Sequence, residues 1–330
     1  MRAQMPNRGL GHALLRRARN DKPREFDTSP VAGSGNFIRV FRVFRGQPLI
    51  MPHLYDAHNH LQSETLSSHL DRIAEDLTAE GIAGAVVNGT SPEDWSSVSA
   101  LASRFPWVVP SYGIHPWDCG NRPEGWQGRL EARIATEPRA QIGEIGIDRW
   151  ILDRAKPDDS RLAGLRRAPL DEQLEVFIWQ LEFAAAQGRA ASIHCIDAWG
   201  ALFDALRTAK LPAQGFLLHA YAGPVEMVKT FADLGAYFSF NGSYLDPRRV
   251  NQRETFKSVP NDRLLIETDA PSMPMHSDWL RFPLPIQADG KSTNHPANIA
   301  GVYAGLSGWL DCPIDQLADQ VGENFNRLFG

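Results

Sequence analysis

From residue 54 onward the sequence repeats one design eight times. Short apolar runs ending in polar groups alternate with stretches of helical periodicity, at a spacing of roughly 30 residues. The runs are LYDAHNH (54–60), GAVVNG (84–89), WVVPSYGIHP (107–116), AQIGEIG (140–146), AASIHC (190–195), GFLLHAY (215–221), AYFSFNG (236–242) and LLIETDAP (264–271). Near-continuous apolar runs of this length suit strands buried on both faces, as in a parallel sheet. Between them, 67–81, 91–105, 171–188 and 223–235 read as helices. Gly81 and Gly188 act as C-terminal stops, and Ser91 as an N-cap followed by Pro92 in the first turn. Eight strand–helix alternations predict an α/β chain, a single (β/α)8 TIM barrel. The competing architecture is a doubly wound open sheet. The absence of GxGxxG and GxxxxGK[ST] phosphate loops weighs against a nucleotide-binding sheet.

The first 50 residues differ in kind. Ten Lys and Arg against three Asp and Glu give residues 1–50 a net charge of +7, and the remaining 24 basic and 36 acidic residues leave −12 on 51–330. Residues 1–50 are poorly periodic apart from one short strand at 38–44, and read as a basic accessory extension preceding a domain at 51–330. A barrel this acidic is no general trap for polyanions, so a phosphate-bearing substrate needs metal ions or a local basic patch. Cys119, Cys195 and Cys312 are odd in number and far apart. They suggest reduced thiols in a cytoplasmic protein rather than a disulfide framework or a CxxC zinc site. No apolar run reaches the about 20 residues a membrane span takes. No secretory pattern is evident, and Arg16-Arg17 leads into no apolar segment, so no export signal or protein partner is indicated.

In such a barrel the C-terminal ends of the strands line one mouth, where the chemistry sits. Those ends carry His58 and His60, His115, Glu144, His194, His219 and Asp269. The first pair is an HxH, and residues two apart on a strand point to one face, so both imidazoles can reach one ion. Singly, each residue has an ordinary explanation: a hydrogen-bonded core histidine, an acid paired with arginine, an N-cap. Seven ligand-type side chains ending at least five strands of one barrel outweigh those explanations together. Four histidines and two carboxylates exceed what one catalytic ion uses. They suit two ions ~3.5–4 Å apart, sharing a carboxylate and acidifying water for attack.

These motifs resemble the TatD family of metal-dependent hydrolases, within the amidohydrolase-like barrels. DAHNHL, GIHPW, IGEIGID, SIHC, LLHAYAG, LLIETDAP, NHPANIAGVY and ENFNRLFG carry the resemblance across 54–330 in the family's order and spacing. It implies a two-metal site in which His58, His60 and Asp269 hold one ion, His194 and His219 the other, and Glu144 bridges them. It also implies that Asp269 orients or deprotonates the attacking water and that His115 contacts the substrate or its leaving group. The catalytic set is then Asp269, Glu144 and His115. The implied cofactors are two divalent ions, zinc, magnesium or manganese, and the implied activity is phosphodiester hydrolysis in DNA, that of a deoxyribonuclease.

Three departures bear on the substrate. Gln62 stands where relatives carry an acid. Ile196 stands where relatives often carry an arginine, whose fork grips phosphate as no apolar residue can. Arg149-Trp150 replace an Asp-Tyr-like continuation after Asp148, making Arg149 a candidate for the missing cation. Asn241 and Tyr244 are further candidate substrate contacts, and Glu267 a candidate support for a ligand. Trp117, Trp150, Trp199 and Trp279 are strand-end aromatics able to stack a base or to pack under loops. The proline-rich segment 271–296 is expected to shape the mouth, with His276 and His295 outside the ligand set. Two other functions stay open on these residues. One is a barrel hydrolysing another ester, an amide or a lactone. The other is a non-catalytic binding barrel using the +7 extension, against which the intact ligand set argues.

Overall fold

The structure is a computed structural model that describes residues 52–287 and 290–330. The extension 1–50, its expected strand at 38–44 and the boundary at 51 lie outside them. Each expected run forms a strand: β1 (Leu54–Asn59), β2 (Ile82–Asn88), β3 (Val108–Tyr112), β4 (Gln141–Asp148), β5 (Ala191–Ile196), β6 (Phe216–Leu218), β7 (Ala236–Asn241) and β8 (Leu264–Glu267). All neighbours pair in parallel, in the order β1 to β8. The doubly wound alternative is thereby excluded, because such a sheet reverses strand order at a switch point.

The helices form an outer layer through one apolar stripe each. In the helix Ile314–Phe329, Leu317, Val321, Phe325 and Leu328 recur at helical spacing and are buried. Each contributes about 1.5–3 kcal/mol by leaving water. Phe325 packs in a tilted pair on Tyr55 of β1, ring centres 4.8 Å apart, and Asn324 donates to the carbonyl of Leu264 at the start of β8. The helix Leu170–Gln187 ends as expected, with Gly188 at φ 63°.

Two helix starts differ from the expectation. The helix after β2 begins at Trp95, not at Ser91. The Asp94 carboxylate accepts from the backbone N–H groups of Thr90 and Ser91, closing a turn that delays the helix by one turn. The helix expected over 67–81 runs from Leu70 to Ala79, and Ser67 instead ends a separate short helix, Glu64–Ser67.

The seam between β8 and β1 is closed just past the strand ends. Asp269 N–H donates to the carbonyl of His58 at 2.9 Å, and His60 N–H to that of Ala270 at 2.7 Å. Beneath them the buried Asp56 carboxylate accepts from Thr268 N–H at 3.0 Å and Thr268 Oγ1 at 2.6 Å.

Candidate metal centre

Five side chains, from β1, β5 and the segments after β1, β6 and β8, gather around the two carboxylate oxygens of Glu144 on β4. Oε2 lies 3.3 Å from His58 Nε2 and 3.2 Å from His60 Nε2. Asp269 Oδ1 lies 3.4 Å from the same His60 nitrogen and 4.0 Å from that of His58. Oε1 lies 2.9 Å from both His194 Nδ1 and His219 Nε2. The two histidine pairs face each other nitrogen to nitrogen, at 3.3 Å for His58–His60 and 3.1 Å for His194–His219. Imidazole nitrogens gathered this way around carboxylate oxygens are the donor set of a cation site, and imidazole and carboxylate suit zinc, manganese and similar divalent ions.

A close approach of backbones makes this possible. Gly146 sits between Glu144 and Asp148 on β4 with φ 143°, and a Cβ there would lie 2.0 Å from the His194 carbonyl oxygen. Only glycine lets β4 come that near to β5.

The outward ring nitrogens fix which atom of each histidine faces inward. His60 Nδ1 donates to the carbonyl of Asn88 at 2.8 Å, leaving the lone pair of Nε2 free to face an ion. His194 Nε2 donates to Asp148 Oδ2 at 3.2 Å, leaving Nδ1. Asp148 is itself held by Trp117 Nε1 at 2.7 Å and by the backbone N–H of Ile151. His58 Nδ1 meets Ser192 Oγ and the Asn88 side-chain amide, each at 3.1 Å. The Asn88 amide nitrogen also donates to the Val86 carbonyl at 3.3 Å, so Ser192 Oγ is the acceptor for a proton on His58 Nδ1, and Asn88 Oδ1 is buried without a partner among the described residues. His219 Nδ1 points at Glu267 Oε1 from 3.7 Å, an electrostatic contact too long for a hydrogen bond.

His115 differs from the other four. Its Nδ1 accepts from the Trp117 backbone N–H at 3.2 Å, so its Nε2 carries the proton and donates, 3.4 Å from Glu144 Oε1. In this tautomer the ring is a hydrogen-bond donor at the mouth, and with Glu144 and His194 it also forms a third group whose atoms lie close enough to hold an ion.

The electrostatics agree with a cation-seeking centre. Burial works against charge on every histidine, yet carboxylates outweigh it at three. Asp269 and Glu144 hold His60 well above the usual range, and Glu144 and Glu267 do so for His219. Asp148 and Glu144 bring His194 up to about 9. At His58 and His115 burial prevails and the pKa falls. Burial would raise Glu144, but the surrounding histidines hold it well below the carboxylate range. A field that binds extra protons this firmly also favours metal ions.

Residues 55–330 match the model of the family described as TatD related DNase. The chain belongs to that family. It is accordingly a metal-dependent hydrolase. An uncharacterized metal-dependent hydrolase, YabD of Bacillus subtilis, is 27% identical over 277 residues, covering 84% of this chain and 98% of YabD. The 3′-5′ ssDNA/RNA exonuclease TatD of Citrobacter koseri is 28% identical over 284 residues, covering 84% and 99%. Among solved structures, YjjV, a TatD homolog from Escherichia coli K12, superposes with a TM-score of 0.71 at 23% identity, covering 85% of this chain and 99% of its own. The (β/α)8 architecture is thus shared.

Against the TatD-related pattern, the candidate substrate contacts fall in different places. Arg149 is an exposed side chain paired with Asp153 at 2.8 Å. Asn241 is fully buried, donating to Glu267 Oε1 at 3.0 Å and accepting from Ser243 N–H. Tyr244 is 1% exposed and donates to the carbonyl of Ala220. Neither Asn241 nor Tyr244 presents a side chain to solvent. Gln62 donates to the Asn88 carbonyl, sharing it with His60, and to Asp94. Ile196 is exposed beside the mouth. His276 and His295 stand outside the ligand-competent groups, and His295 pairs with Asp76. Sequence reasoning passed over Asp148, Ser192 and Asn88. Asp148 and Ser192 lie on a ligand's own strand at an even offset, which was the available signal.

Proposed function

We propose that the chain hydrolyses phosphodiester bonds of single-stranded nucleic acid with two divalent ions. His58, His60 and Asp269 with Glu144 Oε2 would hold one, and His194 and His219 with Glu144 Oε1 the other. The observation that carries the reading is the division of one carboxylate between two histidine pairs, with Glu144 Oε1 2.9 Å from His194 and His219 and Oε2 3.2 Å from His60. Zinc, magnesium or manganese, when bound, supplies positive charge that acidifies water and offsets charge building on the phosphate. Asp269, the carboxylate at the mouth with its second oxygen uncommitted to histidine, orients the water and accepts its proton. His115 donates from Nε2 toward the phosphate or the departing oxygen. The relatives named as 3′-5′ ssDNA/RNA exonucleases support nucleic acid as substrate. The start of the family match at residue 55 supports 51–330 as the catalytic domain and 1–50 as an accessory extension.

The test is a 5′-labelled single-stranded oligonucleotide incubated with metal-loaded protein, with chelated protein and after metal is added back. Shortening from the 3′ end that stops with chelator and returns with zinc, magnesium or manganese is expected. Metal-replete protein that leaves every phosphodiester intact refutes the reading. A second reading, hydrolysis of a small uncharged ester or lactone, draws on the exposed Ile196 where an arginine fork is expected. A panel of such esters run beside the oligonucleotide separates the two.

A further inference from the structure

The sequence raised a question that the metal centre leaves open: which cation meets the substrate phosphates, given Ile196 and an Arg149 that pairs with Asp153 and rests on no aromatic ring among the described residues. The loop following β4 holds an arginine the sequence did not single out. Arg161 lies in the turn Ser160–Leu162, which is anchored by the buried Leu162. Its guanidinium carbon sits 4.4 Å from the ring centre of Trp150 and 5.9 Å from that of Trp117. The two tryptophans are themselves stacked, at 6.0 Å and 25°. Trp117 leads directly to the metal centre. Its Nε1 holds Asp148, which holds His194, and its ring meets His115 edge-on at 5.7 Å.

The guanidinium is fixed on one edge only. Nε and Nη2 clamp the two oxygens of Asp159, at 2.9 and 2.7 Å. Nη1 has no protein partner among the described residues, and the side chain is 48% exposed. Two aromatic faces and one carboxylate therefore orient a fork whose second edge opens to solvent. That arrangement cuts the entropy lost when a long side chain engages a phosphate, and arginine's planar fork matches phosphate oxygens.

Resting on the phosphodiesterase reading, we propose that Arg161, seated on the Trp117–Trp150 pair, grips a phosphate of the single strand next to the scissile one. It stands in for the cation absent at Ile196. Recognition is of the backbone, so base identity is not read through it.

The experiment compares wild type, R161A, R161K and the surface control R248A on a short single-stranded oligonucleotide, at several salt concentrations. R161A is expected to raise KM about tenfold while kcat stays within about twofold, as for one lost charge-assisted contact. Its plot of log KM against log salt should be shallower by about 0.7, the slope of one phosphate on a single strand. R161K should keep the salt slope and recover part of the KM. R248A should match wild type. Wild type that is active while R161A keeps both KM and salt slope overturns this inference alone. A parallel fall in kcat and bound metal in R161A also overturns it, by making Arg161 a mere prop for Trp117. Wild type that cleaves no phosphodiester brings down the functional reading, and this inference with it.

Discussion

Replacing Asp148 by Asn tests the logic of the centre without touching a ligand. Asp148 is fully buried, and its Oδ2 accepts from His194 Nε2 at 3.2 Å and Trp117 Nε1 at 2.7 Å, while Oδ1 accepts from Ile151 N–H at 3.3 Å. Burial pushes this carboxyl up, but the His194 and Trp117 hydrogen bonds and the histidine charges hold it below its usual range, so it stays ionised. An asparagine has two placements there, and both fail. With its oxygen toward His194, its NH2 faces the Ile151 N–H, donor against donor. With its oxygen toward Ile151, its NH2 faces His194 Nε2, which must then accept. The proton moves to Nδ1, and that nitrogen can no longer bind an ion. Loss of such a partner typically costs 10–100-fold in metal affinity, about 1.4–2.7 kcal/mol. Competition against a chromophoric chelator should show one ion weakened by that factor. The other, between His58 and His60, should be nearly unchanged, because its own partners are Asn88 and Ser192. Equal weakening of both ions, or none, refutes the assignment of Asp148 as the residue that sets the His194 tautomer.

Further outcomes follow from the same geometry. Glu144→Ala should leave neither ion stoichiometrically bound, whereas His194→Ala should lose one, read by elemental analysis after gel filtration; two ions retained in E144A would contradict the bridge. With His194 raised to about 9, the metal-free ring is protonated below that pH and binding must displace the proton. His219, held protonated as well, must also lose its proton, so affinity for that ion should rise at least about tenfold per pH unit from 6 towards 9, and a pH-independent Kd would be inconsistent with this. Gly146→Ala should destabilise the metal-free fold by about 3 kcal/mol or more, because the new Cβ meets a backbone oxygen that cannot step aside. Chemical denaturation measures it, and an unchanged midpoint would mean β4 and β5 can separate freely.

The side chains proposed as ligands were legible as a cluster because each ends an apolar run, and periodicity alone locates the strand ends. The barrel followed from counting those runs, and glycine at 188 marked a helix end in advance. The supporting residues were not legible in the same way. Ser192 sits inside a run that reads as apolar and Asp148 two residues past the end of one, and their task depends on which neighbouring strand lies beside them. Arg149 adjoins the site in sequence, but helical spacing turns it to Asp153, while Arg161, twelve residues on, lies over the strand-end tryptophans. Ser91 read as a cap because residue type marks a helix start. The Asp94 carboxylate, folding back on Thr90 and Ser91, moved that start by a turn.

The junction of first and last strands carries a consequence for assembly of the enzyme. The amide of Asp269 is bonded to the carbonyl of His58, so a proposed ligand from each end of the barrel is positioned by the very contact that shuts the cylinder. A molecule with that junction ajar would lose the joint grip of His58 and Asp269 on one ion, whatever the state of the other six strands. Competence to hold metal should thus arrive late and all at once in refolding, and should vanish with the slowest-exchanging amides of β1 and β8 rather than before them.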